Sequence, residues 1–401
     1  MKTLFDTVAE FISGDWGADI ESVEAPVLAH CIRAADVEPI EAHNYTTIPT
    51  RYLSRKSFTQ RQLKFGDIVI EKSGGSPTQS TGRVVYISHA LLSAKTNLVC
   101  SNFCTAIRLK REWHPYFVFQ YWRQVYNAKV FFNYEGKTSG LKNLQLETAM
   151  KSIPIPKIDP PTQLRIAGLL GSLDEKIELN RRKIAELEAL AKTIYDYWFV
   201  QFDFPDATGR PYKSSGGKMV WNGQLKREVP EGWEVAMLES IFTVCSGKDH
   251  KHLPDGKFPI LGSGGIMRYG SEYLYDGESV LIPRKGTLNN VMFMQTPFWT
   301  VDTMFFTRAK RPHLMKYVYM TIRDFDFARL NTGTGVPSMT SSIINRIAIT
   351  VPPKDLAERL DILLGDCFSR IELIKSEIEV LRTERNTLLP LLMNGQVKVA
   401  G

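Results

Sequence analysis

The stretch Leu169-Leu170-Gly171-Ser172-Leu173-Asp174-Glu175-Lys176-Ile177-Glu178-Leu179 returns in altered form as Leu363-Leu364-Gly365-Asp366-Cys367-Phe368-Ser369-Arg370-Ile371-Glu372-Leu373. The same register extends without a gap in both directions. Arg165 falls on Arg359, Ile184 on Ile378, Leu187 on Leu381 and Thr193 on Thr387. Matches this dense in one register mark an internal duplication, and a repeat constrains a fold before any single element does.

Each copy reads as a long helix. Ile153-Pro154-Ile155-Pro156 leads into the first, and Ile349-Thr350-Val351-Pro352-Pro353 into the second. Proline suits a helix start, where its missing N–H is not needed. From Pro161 to Val200 a continuous helix would span about 60 Å at 1.5 Å per residue. Apolar residues recur at alternating steps of three and four. The first stripe is Leu173, Ile177, Ile184, Leu187, Ala191, Ile194 and Trp198; the second is Cys367, Ile371, Ile374, Ile378, Leu381, Leu388 and Leu392. A stripe this narrow, flanked by charge, predicts a helix–helix seam of coiled-coil type. Asn180 and Arg385 interrupt it, and polar seam residues trade stability for register.

Working outward, the segments before the two helices are also alike. Phe5–Gly14 aligns with Leu238–Gly247, both ending in Ser-Gly. Gly66-Asp67-Ile68-Val69-Ile70 resembles Gly277-Glu278-Ser279-Val280-Leu281-Ile282, an acidic turn leading into an apolar strand and then a Gly-containing loop. Thr138-Ser139-Gly140-Leu141 resembles Thr334-Gly335-Val336-Pro337. Strands are expected at Val84–Ile87, Ala106–Leu109, Val280–Pro283, Val291–Met294 and Ile347–Val351. The fold class is therefore α/β, two mixed globular halves alternating with two long helices. The expected plan is a globular half over 1–152, a helix with its leading strand over 153–200, a second half over 234–348 and a second helix over 349–401. Between them, 201–233 is rich in Pro, Gly, Ser and charge and reads as an extended connector rather than core.

With 401 residues, 43% of them hydrophobic, the chain can bury sizeable cores. A net charge of +7 suits a phosphate-rich partner without requiring one. Five irregularly spaced cysteines do not make a disulfide framework. The start, Met1-Lys2-Thr3-Leu4-Phe5-Asp6, does not read as a secretory signal, and no apolar run is long enough for a spanning helix. A cytoplasmic protein is expected.

The chain resembles the specificity subunits of Type I restriction–modification enzymes over nearly its whole length. The resemblance rests on Ile153-Pro154-Ile155-Pro156, then Gln163, Ile166, Leu173, Asp174 and Ile177. It continues through Tyr197-Trp198-Phe199-Val200, Phe202-Asp203-Phe204 and Pro230-Glu231-Gly232-Trp233. It implies that each globular half is a target-recognition domain for one half of a bipartite, asymmetric DNA site. It implies that the two helices pack as an antiparallel coiled coil, giving a pseudo-two-fold repeat. It also implies that two adenine-N6 methyltransferase (modification) subunits and restriction (endonuclease and translocase) subunits join the chain, which is itself non-catalytic. The first half departs from the family in lacking a Pro-Glu-Gly-Trp start. A coiled-coil adaptor without DNA reading is the alternative, but it would not need basic, Gly-containing loops at matching places in both halves.

Duplex binding needs Lys and Arg near phosphates and side chains that reach base edges. In the first half, Arg51, Arg55, Lys56, Arg61, Lys64 and Lys72 outnumber Asp67 and Glu71, and a Gly-rich loop, Ser73 to Arg83, follows. Such a loop brings backbone N–H groups close to phosphate. Lys72, Ser73, Gln79 and Arg83 are the candidates there, with Gln79 and Arg83 able to reach bases. The matching loop of the second half supplies Arg284, Lys285, Thr287, Asn289 and Asn290. Lys137, Thr138 and Lys142, and Thr334 and Ser338, are further candidates. The aromatics from Trp113 to Tyr134 read as core.

Other motifs are set aside. Asp159-Pro160-Pro161-Thr162 lacks the aromatic that an amino-methyltransferase stacks on a flipped base, and it suits a helix start. Gly262-Ser263-Gly264-Gly265 and Gly136-Lys137-Thr138 lack the rest of a nucleotide-binding pattern. Cys100 and Cys104 with His89 or His114 lack paired zinc spacings, and Asp249-His250-Lys251-His252 reads as a polar turn. No catalytic residue, cofactor or metal is expected.

Overall fold

The computed structural model describes residues 2–76, 79–138, 141–333 and 335–399, with the backbone alone at 137, 138 and 141. It forms two compact units, residues 1–182 with 375–401, and residues 183–374. The division falls inside both long helices.

The first unit carries β1 (Val8–Ser13), β2 (Val27–Ile32), β3 (Thr50–Leu53), β4 (Ile68–Glu71), β5 (Ser73–Gly74), β6 (Val84–Tyr86), β7 (Leu98–Cys100), β8 (Cys104–Leu109), β9 (Glu135–Thr138) and β10 (Leu141–Leu144). One sheet runs β1-β8-β4-β6 and another β3-β2-β7. The apolar run Ile68-Val69-Ile70 makes β4 an interior strand with both faces covered. Ile68 and Ile70 join a cluster with Phe117 and Trp122 of the helix Pro115–Asn127. Val69 points the other way, among Ile12, Ile32 and Leu98, as the two-residue period of a strand requires.

The second unit repeats the plan. Its strands are β11 (Met219–Asn222), β12 (Arg227–Pro230), β13 (Glu234–Met237), β14 (Phe242–Ser246), β15 (Asp255–Gly262), β16 (Gly265–Gly270), β17 (Ser279–Pro283), β18 (Met292–Met294), β19 (Trp299–Thr300), β20 (Met304–Ala309) and β21 (Ala348–Val351). The order β14-β20-β17-β18 matches β1-β8-β4-β6, and β16-β15-β19 matches β3-β2-β7, the latter with one antiparallel and one parallel pairing in each case. In β17, Val280 and Ile282 face one cluster and Leu281 the other.

The Ser-Gly ends correspond for a steric reason. A Cβ on Gly14 would lie 1.8 Å from the Ser101 carbonyl oxygen, and one on Gly247 2.1 Å from that of Val301. The alignment of Phe5 with Leu238 is one residue off at its start. Leu4, not Phe5, donates to the Ile153 carbonyl at 3.0 Å, as Leu238 does to Ile347 at 2.9 Å, and an irregularity between Val8 and Glu10 absorbs the difference. Without a Pro-Glu-Gly-Trp start, the N-terminus still bridges Thr3 to Pro154, where the second unit pairs β13 with β21.

The long helices are Pro160–Tyr195, continued by a wider turn Asp196–Val200, and Lys354–Met393. Asp159 caps the first, its Oδ1 accepting from Thr162 N at 3.0 Å. All predicted stripe residues are buried or half-buried, whereas Leu179, Leu190, Leu373 and Val380 are exposed. Within the first unit Arg385 donates to Asp174 at 2.6 Å, and Glu377 takes Asn180 at 2.8 Å and Lys176 at 3.1 Å.

The segment 201–233 corrects the sequence reading. It is folded, not extended: β11 and β12 form a hairpin, and Phe202, Phe204 and Trp233 are buried with Phe199 and Tyr317. Its turn-rich composition concealed three aromatic anchors, and large aromatic rings outweigh local loop propensity in deciding burial. From Trp113 to Tyr134, Trp113, Phe117, Phe119, Trp122 and Phe131 are core, as expected.

Candidate nucleic-acid interface

In each unit the candidate loop leaves the C-terminal end of the interior strand. In the first, Lys72 N bonds the Phe103 carbonyl at 2.8 Å and its own carbonyl accepts from Leu144 at 2.7 Å. The loop thus joins a small sheet, with Gly74 opposite Lys142 and Ser73 opposite Asn143. The Ser73 hydroxyl donates to Asn143. Sequence candidates far apart in the chain, Lys72–Ser73 and Lys142, are brought together. Lys137 lies opposite Lys142 in the same sheet. The Lys137 and Thr138 side chains lie outside the described residues, as do Pro77, Thr78 and Thr334.

Two of the first-unit cations are engaged internally. Arg83 donates from Nε and Nη2 to the buried Glu71 carboxylate at 2.8 and 2.9 Å, with Glu38 at 3.4 Å. The Glu71 hydrogen bonds hold the Arg83 guanidinium above its ordinary pKa despite burial. Lys142 pairs with Glu135 at 3.0 Å and sits over the Phe132 ring. Glu135 also accepts the Thr81 N–H at 2.6 Å, and Trp122 donates to the Gly82 carbonyl at 2.8 Å. These groups set the shape of the loop. Gln79 and Arg83 line a recess of about 170 Å³ with Glu38, Arg123 and Tyr126. Gln79 Nε2 reaches Glu38 at 3.3 Å.

The sequence reading counted Glu71 only as an acid within the basic run, and it missed Glu135 and Glu38. The signal for Glu71 was present: a carboxylate closing a fully apolar strand is rarely buried unless paired. Some of the basic run is also structural. Arg51 pairs with Asp19 and lies 3.6 Å from the Trp16 ring centre.

In the second unit the loop is more open. Leu288 anchors it in the core. Lys285 is half-exposed, with Asp302 at 3.9 Å, and Thr287 is exposed. Arg284 lies over Phe305 at 5.7 Å. Asn289 spans to the next loop, donating to Asp326 at 3.1 Å and accepting from Ala328 N at 3.0 Å. Asn290 donates to the Ser263 carbonyl at 2.8 Å. Ser338 bridges Lys285, and Gly286 N bonds the Pro337 carbonyl at 2.9 Å. Both units therefore press the same two sequence-predicted segments together.

The cysteines do not form such a site. Cys31, Cys100, Cys104 and Cys367 are buried thiols, and burial pushes Cys104 up to about 11. Among the described residues no cluster of His, Cys, Asp or Glu could hold a metal ion, and no helix is long and apolar enough to cross a membrane.

The profile of the type I restriction modification DNA specificity domain matches residues 44–189 and again 230–381. The chain belongs to this family. It is a type I DNA specificity subunit, a recognition component and not the catalyst. The specificity subunit of the MjaIX enzyme from Methanocaldococcus jannaschii is 23% identical over 397 residues, covering 90% of this chain and 86% of that one. That of the HindI enzyme from Haemophilus influenzae is 19% identical over 318 residues, 61% of this chain and 69% of that one. A solved type I S subunit from M. genitalium shares the fold, with a TM-score of 0.58 over 98% of this specificity subunit and 95% of that chain, at 16% identity.

Proposed function

We propose that each unit reads one half of a bipartite, asymmetric duplex site, and that the two long helices pair antiparallel as the spacer. The observation that carries this is the duplicated loop pair. On one strand order, at the end of the same interior strand, each unit sets a basic, Gly-containing loop against a second polar segment. A spacer of fixed length fixes half-site separation, one duplex turn being about 34–36 Å. The spacer reading draws support from the first unit, where Asp174 meets Arg385 and Asn180 meets Glu377. Numbering rises along one helix as it falls along the other, as antiparallel neighbours require.

On this reading the target-recognition domains are 1–152 and 234–348, the spacer helices 153–200 and 349–401, with 201–233 joining them. Lys72, Lys137 and Lys285 neutralise phosphates. Ser73, Gln79, Arg284, Thr287, Asn289, Asn290 and Ser338 face the duplex, while Arg83 and Lys142 brace the first loop. Two adenine-N6 methyltransferase subunits dock on the helices, whose exposed Leu179, Leu190, Leu373 and Val380 leave apolar surface for them. Restriction subunits complete a cytoplasmic complex.

Adenine-methylation mapping in cells expressing the chain with its cognate modification subunit tests this. The expected result is a two-part motif with a fixed gap, absent without the chain. Arg284→Ala with Lys285→Ala should disturb one half alone. Methylation indifferent to the chain, with no duplex binding and no methyltransferase complex, overturns the reading.

A further inference from the structure

We propose that the tip of the β15–β16 hairpin is a third part of the second reading surface, where Ile266 and Met267 contact thymine C5-methyl groups in the major groove. This deepens the DNA-reading function of that unit and rests on it.

The tip is Gly262-Ser263-Gly264-Gly265, the glycine run that fits no nucleotide loop. Gly262 pairs with Gly265 to close the turn, and Gly265 takes φ +113°, a conformation that favours glycine. The turn is fixed against the basic loop. Asn290 donates to the Ser263 carbonyl at 2.8 Å, and a Cβ on Gly286 would lie 3.0 Å from the Ser263 hydroxyl oxygen. Directly beyond it, Ile266 and Met267 are 55% and 58% exposed on β16, an outer strand. Arg268 then holds the strand by donating to the His250 and Leu253 carbonyls at 2.6 and 2.9 Å.

Two exposed apolar side chains thus directly follow a turn packed against the loop that carries Arg284 and Lys285. The cations point to a polyanionic occupant rather than a protein one. In a duplex the apolar feature of the major-groove edge is the thymine methyl. The first unit lacks the device. Its connection from β2 to β3, residues 33–49, exposes no large apolar side chain among the described residues, and it sends Glu38 to Gln79 and Arg83 instead.

The test uses the full chain in complex with its modification subunit, on synthetic duplexes carrying the mapped motif. Each thymine of the second half is replaced in turn by deoxyuridine, which lacks only the methyl. Binding should fall about three- to five-fold at one or two positions, the loss expected for one buried methyl-sized group. The double variant Ile266→Ala, Met267→Ala should be insensitive there, while the first half of its methylation motif stays unchanged and reports a folded subunit. A double variant that loses as much on deoxyuridine as the native chain overturns the inference. Arg284→Ala with Lys285→Ala, run in parallel, separates the failures. If it alters the second half while the double variant behaves as native, only the hairpin is wrong. If neither alters it, the loop reading falls too.

Discussion

In the first unit the interior strand ends in Glu71, whose buried carboxylate holds Arg83 by two hydrogen bonds. At the same place on the same strand order, the second unit has Pro283, opposite Met304 where Glu71 stands opposite Cys104. Proline makes no such tie, and the following Arg284 and Lys285 keep more freedom. The attachment to the helices differs in the same way. In the first unit Tyr116 and Gln120 donate to Asp174, which Arg385 also meets. In the second, the repeat puts Phe368 at that position, packed against Phe293 and Tyr319, and the charge moves to a buried Lys316 between Glu278 and Asp361. A duplicated scaffold keeps its strand order because order is set by apolar burial, and polar ties are free to change around it. Divergence gathers where strands end, which on the proposed reading is where two half-sites would be told apart.

The largest expected effect comes from the tie that one unit has and the other lacks. Glu71→Ala removes both close hydrogen bonds of the part-buried Arg83, leaving it only Glu38 at 3.4 Å, and should cost about 3 kcal/mol, with lost hydrogen-exchange protection over 68–83. Pro283→Ala should change protection far less; equal losses would break the comparison. Next is Asp174→Asn, expected to cost about 2 kcal/mol by removing a charge-assisted bond. Burial pushes the Asp174 carboxyl up, but Arg385, the Tyr116 hydroxyl and Arg123 outweigh it and hold it below its ordinary 3.8. Its contribution is therefore present above the unfolded carboxylate range and is lost as pH falls through the lower folded value. Hydrogen exchange between pH 6 and 3 should show the first unit loosening below about pH 4, with a shallower dependence in Asp174→Asn.

Smaller still, Asn289→Ala removes both amide bonds to the 326–328 segment and should cost about 1 kcal/mol, read as faster exchange in 284–290. Lys285→Ala should shift stability by less than about 0.5 kcal/mol. It should lower the salt dependence of duplex binding by about one phosphate contact. An unchanged slope would remove Lys285 from the interface.

The duplication, the two helices with their apolar stripes, the interior strands and the core aromatics were all legible in the order of residues. Each is a matter of local period or of a repeated register, and period is visible in one dimension. That order also located both candidate loops and their partner segments, because Gly-containing basic runs stand out at matching positions. Tertiary structure alone decided which cations are spent internally. Arg83 and Lys142 look as available in the sequence as Lys285, until Glu71 and Glu135 arrive from other strands. It alone folded 201–233 onto a core through Phe202, Phe204 and Trp233, and it alone brought the β15–β16 turn beside Asn290. Partnership between charges, and burial of isolated rings, depend on which segments meet in space, and residue spacing along the chain carries no record of that.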